Sequence, residues 1–393
     1  MRAQGKKKIV LLGMMSKMPV AGVVWQTLHY LVGFERLGFE AYYVEAHGVM
    51  PTKFMLRADE DGTLKAARFI ERVMRRFDFG DRWALHALHE PEPRCFGLGA
   101  GRLRELYASA ELIINLYGGT TPQPEHSATG RLIFLETDPV ELQIELHEGR
   151  QAAFDFLSPH VAFFTFGENY GAADCRLPVS ERFHFLPTRQ PVVMDFWLPL
   201  AQNGAGRTFT TVGNWHQPRR VVTLEGETYH WSKHFEFAKF IDLPRLTGQE
   251  FELALSSYDE AARQMLETNG WRVRPAHPLS TDIERYRRYI AGSRGEFTVA
   301  KDQNVRLRSG WFSDRSATYL AAGRPVITQE TGFSNILPTG RGLFAFSTLE
   351  ESMEAVANIN RDYDEHSRAA AALAREFFSH DVVLPRLLAD VGL

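Results

Sequence analysis

Short apolar runs alternate along this chain with longer segments of helical periodicity, and this alternation limits the possible fold more than any other feature. The first run is Lys8-Ile-Val-Leu-Leu-Gly13, and residues 23–37 behind it carry apolar side chains at helical spacing. A strand, a loop and a helix in this order form a β-α unit, and repeated units of this kind build a mostly parallel sheet. The sequence therefore predicts a doubly wound α/β fold.

The predicted elements fall into two groups. In the first group, strands are expected at 39–44, 112–117, 132–135 and 161–166, and helices at 64–77 and 140–156. In the second group, strands are expected at 209–212, 251–255, 271–274 and 296–299, and helices at 232–241, 258–268 and 281–291. The segment 187–206 between the groups is rich in Pro and Gly and has no helical period, which is typical of a linker.

Two domains are expected for a chain of 393 residues. We predict an N-terminal domain at 1–190, a C-terminal domain at 207–380 and a tail at 381–393 that packs back on the N-terminal domain. A hinge at 187–206 would leave a cleft between two such sheets. In open α/β sheets ligands bind at the carboxyl ends of the strands, so the loops that follow strands are the places to search for function.

Composition excludes several classes of protein. The formal net charge is −3, which gives no reason to expect a nucleic-acid partner, because such proteins usually have a strongly basic surface. Cys95 and Cys175 are far apart and form no CxxC pair, so a disulfide framework is not indicated and a reducing cytoplasm fits. No window approaches the roughly 18 apolar residues of a membrane-spanning helix. Peripheral contact with a membrane and the oligomeric state are left open.

An anion site is predicted where Ser313 begins a helix that ends at Gly323. The amino end of a helix offers free backbone N–H groups and a positive dipole end, and the guanidinium of Arg315 suits a phosphate. A diphosphate would fit there. The alternative is that Ser313 is an ordinary N-cap, with Asp314 satisfying the dipole and Arg315 in solvent.

A resemblance to a known family appears just after this helix. The segments Thr318-Tyr-Leu-Ala-Ala-Gly323-Arg-Pro-Val-Ile327, Thr331-Gly332 and Gly340-Arg-Gly-Leu-Phe344 resemble, in order and spacing, the C-terminal region of bacterial group 1 glycosyltransferases of the GT-B fold. The resemblance implies two Rossmann-like doubly wound domains facing each other across a cleft. The glutamate pair of the retaining members, E-x7-E, is replaced here by Gly310 and Thr318.

In that family this region holds a nucleotide-sugar donor. The resemblance therefore implies donor contacts from seven residues of this stretch: Ser313, Asp314, Arg315, Gln329, Glu330, Thr331 and Gly332.

A second candidate group follows the first strand of the C-terminal half. Asn214 ends that strand, and Lys233 and His234 lie in the next loop and helix. In GT-B enzymes the matching loop often faces the donor phosphates, so these three are donor-side candidates. The alternative is that the neighbouring Trp215 and Trp231 pack in a core while Lys233 is solvated.

The acceptor side is expected in the N-terminal half. Gly22, in the loop after the first strand, would permit close approach of a sugar, and Gln26 lies one turn further into the helix. Asp138, which follows the strand at 132–135, is the candidate general base, although an Asp before Pro at a helix start is also a common cap. Glu125 and His126 are the alternatives.

These observations predict a metal-independent glycosyltransferase that uses a nucleotide sugar as co-substrate and needs no other cofactor. The literal DxD at Asp59 to Asp61 lacks a preceding apolar strand, and no metal-binding spacing occurs. Two other functions are kept open: a nucleotide-sugar epimerase of the same fold, and a non-catalytic two-domain binding protein.

Overall fold

The computed structural model describes residues 6–201 and 204–393. The chain forms two α/β domains, each built on a mainly parallel sheet with helices on its faces. The predicted alternation of strands and helices is confirmed.

The N-terminal domain contains an eight-stranded sheet. Its strands are β1 (Lys8–Leu12), β2 (Glu40–Ala46), β3 (Trp83–His86), β4 (Cys95–Gly97), β5 (Leu112–Leu116), β6 (Leu132–Glu136), β7 (Ala162–Thr165) and β8 (Phe185–Pro187). They lie in the order β4-β3-β2-β1-β5-β6-β7-β8, and every pairing is parallel except that of β4 with β3. The central strands are apolar on both faces because helices cover both sides of the sheet.

The helices of this half are α1 (Ala21–Arg36), α2 (Gly62–Arg76), α3 (Ala100–Ser109), α4 (Pro124–Ser127), α5 (Glu141–His147), α6 (Gln151–Leu157) and α7 (Leu198–Ala201). The prediction of one helix at 140–156 is wrong. Gly149, at a φ of 71°, adopts the left-handed conformation after α5, and the chain then begins α6. A left-handed glycine is a common helix terminator.

The C-terminal domain contains a six-stranded parallel sheet and a separate hairpin. Its strands are β9 (Thr208–Asn214), β10 (Val221–Leu224), β11 (Glu227–His230), β12 (Glu250–Ser256), β13 (Trp271–Pro275), β14 (Gly295–Thr298), β15 (Val326–Gln329) and β16 (Leu343–Phe346). The main sheet has the order β13-β12-β9-β14-β15-β16, and β10 pairs only with β11. The first strand, β9, lies at the centre of the sheet; β12 and β13 are added on one side of it, and β14, β15 and β16 on the other.

The helices of this half are α8 (His234–Ala238), α9 (Leu243–Thr247), α10 (Glu260–Thr268), α11 (His277–Ser280), α12 (Ile283–Ala291), α13 (Asp302–Leu307), α14 (Asp314–Ala321), α15 (Leu349–Arg361), α16 (Tyr363–Leu373) and α17 (His380–Asp390). None of the helices in the described ranges combines the length and the apolar character needed to cross a membrane.

The expected linker begins inside the N-terminal domain. Pro187 ends β8, and Val192, Val193 and Trp197 are fully buried. The backbone N–H of His380, at the start of α17, donates to the carbonyl of Val192 at 3.0 Å. The first part of the 187–206 segment is therefore packed structure.

The tail helix α17 lies against α1. A Cβ added at Gly33 of α1 would come within 2.5 Å of a side-chain carbon of Leu384. Glycine at this position allows the close approach of the two helices. The end of the chain thus returns to the N-terminal domain.

The two domains share an apolar interface. Trp25 of α1 belongs to the same buried cluster as Tyr286 and Ile290 of α12, and its indole N–H donates to the carbonyl of Ile283 at 3.0 Å. The β10-β11 hairpin reaches the other domain, where Leu224 packs in one cluster with residues of α5. Loops from the carboxyl ends of both sheets consequently meet across one cleft.

Candidate functional site

A cavity of about 300 Å³ lies between the two domains, at the carboxyl ends of both sheets. Its N-terminal wall is the loop after β1 and the first turns of α1, including Met18, Gly22 and Gln26. Its C-terminal wall comes from the ends of β9, β12, β13 and β14, from the loop between β11 and α8, and from α11, α12 and α14. These residues are Val212, Gly213, Asn214, Trp231, Lys233, Ser256, Ala276, Ser280, Tyr286, Lys301, Trp311, Ser313, Asp314 and Arg315.

The N-terminal wall is braced by a buried carboxylate. Glu45, at the end of β2, accepts hydrogen bonds from the backbone N–H of Ser16 at 2.9 Å and from the hydroxyl of Tyr43 at 2.5 Å. Nε2 of His47 lies 2.5 Å from its other oxygen. Because Ser16 belongs to the loop after β1, this network fixes the loop that forms one side of the cavity.

Lys233 is the cation of the cavity wall that lacks a carboxylate partner in the described part of the chain. The residue is 8% exposed, and its ammonium donates to the hydroxyl of Thr298 at 3.0 Å. Burial, followed by repulsion from Arg315, holds the pKa of Lys233 well below its ordinary value. An anion in the cavity would favour the charged form of Lys233 and accept hydrogen bonds from it, so this lysine is suited to bind one.

The guanidinium of Arg315 is already engaged inside the protein. It donates to the buried carboxylate of Glu296, to the carbonyl of Val212 at 2.7 Å and to the hydroxyl of Thr298 at 3.0 Å. Arg315 lines the cavity, but its charge is paired with Glu296. Its contact with a donor phosphate stays a prediction.

The amino end of α14 also faces the cavity. Ser313 occupies the N-cap position, but its side chain accepts no capping hydrogen bond. Asp314, in the first turn, lines the cavity, and burial raises the pKa of its carboxyl group. The raised pKa means that Asp314 is neutralised more readily than an exposed aspartate.

Lys301 is a second lysine of the cavity wall. Its ammonium lies 2.6 Å from Oδ1 of Asp138, 3.6 Å from the ring centre of Trp231 and 5.4 Å from that of Trp311. Burial lowers the pKa of Lys301 to about 8, although Asp138 acts in the opposite direction. The cation is thus held between two indoles and a carboxylate of the other domain.

Asp138 is fixed across the domain boundary. Besides Lys301, its carboxylate accepts the indole N–H of Trp231, and Nη1 of Arg220 lies 3.5 Å away. All three partners belong to the C-terminal half. The predicted general base is therefore held by an ion pair in this structure, and its role in catalysis stays a prediction.

Several predicted residues do line the cavity. They are Gly22, Gln26, Asn214, Lys233, Ser313, Asp314 and Arg315. The structure brings them together because each follows a strand at the carboxyl edge of its sheet or lies at the start of the helix that comes next.

The loop after β15 lies outside the lining of the cavity, and the donor contacts predicted for its four residues stay a prediction. Gln329 accepts the backbone N–H of Ala300 and donates to Glu236. Glu330 accepts the backbone N–H of Gly332, and the hydroxyl of Thr331 donates to the carbonyl of Trp311. Gly332 itself packs on Asn169. Internal hydrogen bonds and interdomain packing occupy these polar groups.

His234 also lies outside the lining of the cavity. Its ring is 4.5 Å from that of His216 and 3.9 Å from that of Phe235, measured between centres. Only its neighbour Lys233 faces the cavity, because α8 begins between the two residues.

The alternative acceptor residues are also outside the lining of the cavity. His126 of α4 is fully buried, with its ring 4.7 Å from that of Tyr107, and burial lowers the pKa of His126 to about 4. Glu125 lies beside it on the same short helix. Packing against α3 directs this segment away from the cleft.

Sequence reasoning missed the aromatic part of the wall. Trp231, Tyr286 and Trp311 line the cavity, as does Lys301. The position of Lys301, just after the predicted strand at 296–299, was the available signal. In the described residues, no group of three or more His, Cys, Asp or Glu side chains is placed to share a metal ion.

Comparison with known proteins supports the fold. No family model and no curated protein sequence matches the chain. Solved structures do match over nearly its whole length. An alpha-glucosyltransferase in complex with UDP and a 13-mer DNA is 10% identical, with a TM-score of 0.57, and the match covers 99% of this chain and 100% of that one.

Two further structures are similar over the same extent. HepE from Anabaena in complex with UDP is 13% identical, with a TM-score of 0.55 and coverage of 98% and 99%. AviGT4, a glycosyltransferase involved in avilamycin A biosynthesis, is 13% identical, with a TM-score of 0.53 and coverage of 98% and 96%. At this level of identity the likeness establishes the fold. The predicted fold class is confirmed: the chain has the GT-B fold, with two Rossmann-like domains facing each other across a cleft.

Proposed function

We propose that this protein is a glycosyltransferase that moves a sugar from a nucleotide-diphosphate sugar to a hydroxyl group of an acceptor. The observation that carries the proposal is Lys233, a buried ammonium without a carboxylate partner in the described chain, at the wall of the interdomain cavity. The GT-B fold and the UDP bound in HepE and in the alpha-glucosyltransferase support a nucleoside diphosphate as the anion.

The chemistry follows from where negative charge develops. When the bond between the sugar and the diphosphate breaks, the leaving oxygen gains charge. A fixed ammonium in a partly dry cavity stabilises that charge, because the surrounding protein screens it less than water would. We assign this role to Lys233, with the backbone N–H groups at the start of α14 as additional donors. A divalent ion is not needed for this step in our proposal.

The acceptor is proposed to enter from the N-terminal wall, beside Gly22 and Gln26. Met18, at the rim, is 43% exposed and gives this wall an apolar edge. The two distant cysteines are compatible with the cytoplasm as the proposed location.

A thermal-shift panel of UDP-, GDP-, dTDP- and ADP-sugars tests the proposal, with and without EDTA. A donor that binds only the folded chain raises the melting temperature of the protein. At a donor concentration of 100 times the Kd, the free energy of unfolding increases by about 2.7 kcal/mol. The proposal predicts a response to at least one donor in EDTA, followed by transfer to an acceptor in a hydroxyl-compound screen. If no donor raises the melting temperature, the proposal is wrong.

The same samples separate the alternative functions. NMR of the protein with donor alone would reveal an epimer if the enzyme were a nucleotide-sugar epimerase. Binding without turnover across a broad acceptor screen would instead indicate a non-catalytic binding protein.

A further inference from the structure

Asp138 is the one carboxylate paired with Lys301 in the described chain, and the two residues belong to different domains. Asp138 follows β6 of the N-terminal sheet, whereas Lys301 follows β14 of the C-terminal sheet. The ion pair is only partly exposed, at 11% for the side chain of Lys301 and 28% for that of Asp138. It therefore closes the cleft with an internal salt bridge.

The cation of this pair reaches the cavity without help from Asp138. Lys301 itself lines the cavity, together with Trp231 and Trp311. The face of an indole attracts an ammonium by about 0.5 to 2 kcal/mol, depending on desolvation. The two rings therefore keep Lys301 at the wall even when its carboxylate partner is removed.

We propose that Lys301 is a second anion-binding residue of this cavity and that Asp138 is its internal counter-ion, which the phosphate groups of the ligand displace. This inference rests on the proposed function, because it assigns the regulation of the same site. The ligand and Asp138 compete for one ammonium. Displacement leaves Asp138 with Arg220 as its cationic neighbour while the donor is bound.

The charges around the pair agree with such an exchange. Arg220 faces Asp138 at 3.5 Å and is itself paired with Glu141 at 2.8 Å, so Asp138 keeps a cationic neighbour after it loses Lys301. Asp314 is the other acidic group near Lys301, and burial raises the pKa of its carboxyl. Burial lowers the pKa of Lys301 despite both carboxylates, so a further anion would favour its charged form.

Neutralising Asp138 should change the ligand affinity in opposite directions depending on whether the salt bridge is purely structural or competes with the ligand. If Asp138 only clamps the domains together, its neutralisation loosens the cavity and weakens ligand binding. If Asp138 competes, its neutralisation leaves Lys301 fully available and strengthens binding. The sign of the change in affinity decides between the two.

The experiment is isothermal titration of the full-length protein with UDP and with inorganic pyrophosphate. For Asp138→Asn, which keeps the shape and an acceptor oxygen, we expect roughly three- to tenfold tighter binding, in the range between exposed and buried ion pairs. For Lys301→Met we expect roughly 10- to 100-fold weaker binding, because a charge-assisted hydrogen bond is lost. In the double variant the gain from Asp138→Asn should vanish.

Glu141→Gln is the matched control. It removes a carboxylate from the same domain boundary, 2.8 Å from Arg220, but Glu141 does not line the cavity. Its affinity for both probes should equal that of the wild type. Asp138→Ser removes the same charge as Asp138→Asn and should change the affinity in the same direction, so a folding defect in one variant does not decide the test.

Two results would overturn the inference. One is equal or weaker binding by both Asp138 variants, and the other is a gain from Asp138→Asn that persists with Lys301→Met. Either result leaves the proposed function intact, since the wild type still binds. Failure of the wild type to bind both UDP and pyrophosphate would instead remove the anion site, and the inference would be refuted with it.

Discussion

Replacing Lys233 with Met should have two opposite effects, a more stable protein and a weaker ligand complex. The ammonium of Lys233 is buried at 8% exposure and has the hydroxyl of Thr298 as its hydrogen-bond partner in the described structure. Burial of an ion costs several kcal/mol, which one neutral hydrogen bond offsets only in part. Met fills a similar volume without this cost, so we expect a gain of about 1 to 3 kcal/mol in the free energy of unfolding.

The expected shift in melting temperature is small but measurable. Unfolding entropy of about 2.1 cal/mol/K per residue gives roughly 0.8 kcal/mol/K for 393 residues. The gain therefore corresponds to about 1 to 4 °C in differential scanning calorimetry. At the same time the complex loses a charge-assisted hydrogen bond of about 1.5 to 3 kcal/mol, so the Kd for UDP should rise roughly 10- to 150-fold.

The stability gain should also depend on pH. Because burial lowers the pKa of Lys233, the folded chain binds fewer protons there than the unfolded chain below the ordinary lysine value of 10.5. The free energy of unfolding of the wild type thus rises with pH toward that value. Lys233→Met removes this rise, and its advantage over the wild type should shrink between about pH 7 and pH 10.

Lys53→Met is the control for these measurements. Lys53 is an exposed lysine of the N-terminal half that does not line the cavity. It should change both the melting temperature and the Kd very little. A lower melting temperature for Lys233→Met, or an unchanged Kd for UDP, would refute the assignment of Lys233 as an uncompensated cation of the anion site.

Three further experiments test the charges and the packing of the two domains. Arg315→Met leaves Glu296 buried without its cation and should lower the free energy of unfolding by about 3 to 5 kcal/mol in urea titration, whereas adding Glu296→Gln should recover part of the loss. Burial raises the pKa of Glu136 from 4.5 to about 7, so between these pH values the folded chain holds a proton that the unfolded chain has released. The free energy of unfolding should therefore fall by roughly 3 kcal/mol as the pH rises through this range. Glu136→Gln should abolish that fall, and a pH profile equal to that of the wild type would contradict the assignment. Gly310 has a φ of 82°, and a Cβ added there would lie 2.2 Å from a backbone nitrogen of the other domain, whereas Gly38 has a similar φ of 92° and open space around it. Gly310→Ala should therefore lower the free energy of unfolding by about 2 kcal/mol more than Gly38→Ala does. Equal losses would show that the domains adjust freely.

The positions of the cavity residues could be predicted largely from local pattern. Gly22, Asn214 and Ser313 each lie just after a strand or at the start of a helix, and both kinds of boundary are visible as changes of periodicity. In a parallel sheet all such boundaries fall on one edge. Lys233 could be predicted in the same way, since it directly precedes helix α8 in the segment that follows β9 and the β10-β11 hairpin.

Two features of the structure are not visible in the local pattern of the sequence. Gln329 follows a strand as expected, but its amide donates to Glu236 of a distant helix, and Gln329 lies outside the lining of the cavity. The helix expected at 140–156 ends early because Gly149 adopts a left-handed conformation, which periodicity alone does not reveal.

The sequence by itself determined the alternation of strands and helices, and hence the class of fold and the edge of each sheet at which the cavity lies. These properties follow from the spacing of apolar residues, which is local. Only the tertiary structure decided which charges are compensated. Glu296 neutralises Arg315, Asp138 reaches Lys301 across the domain boundary, and Lys233 is buried without a carboxylate partner among the described residues. The reason is physical: the strength of an ion pair depends on distance and burial, and both are set by how two separately patterned domains pack together.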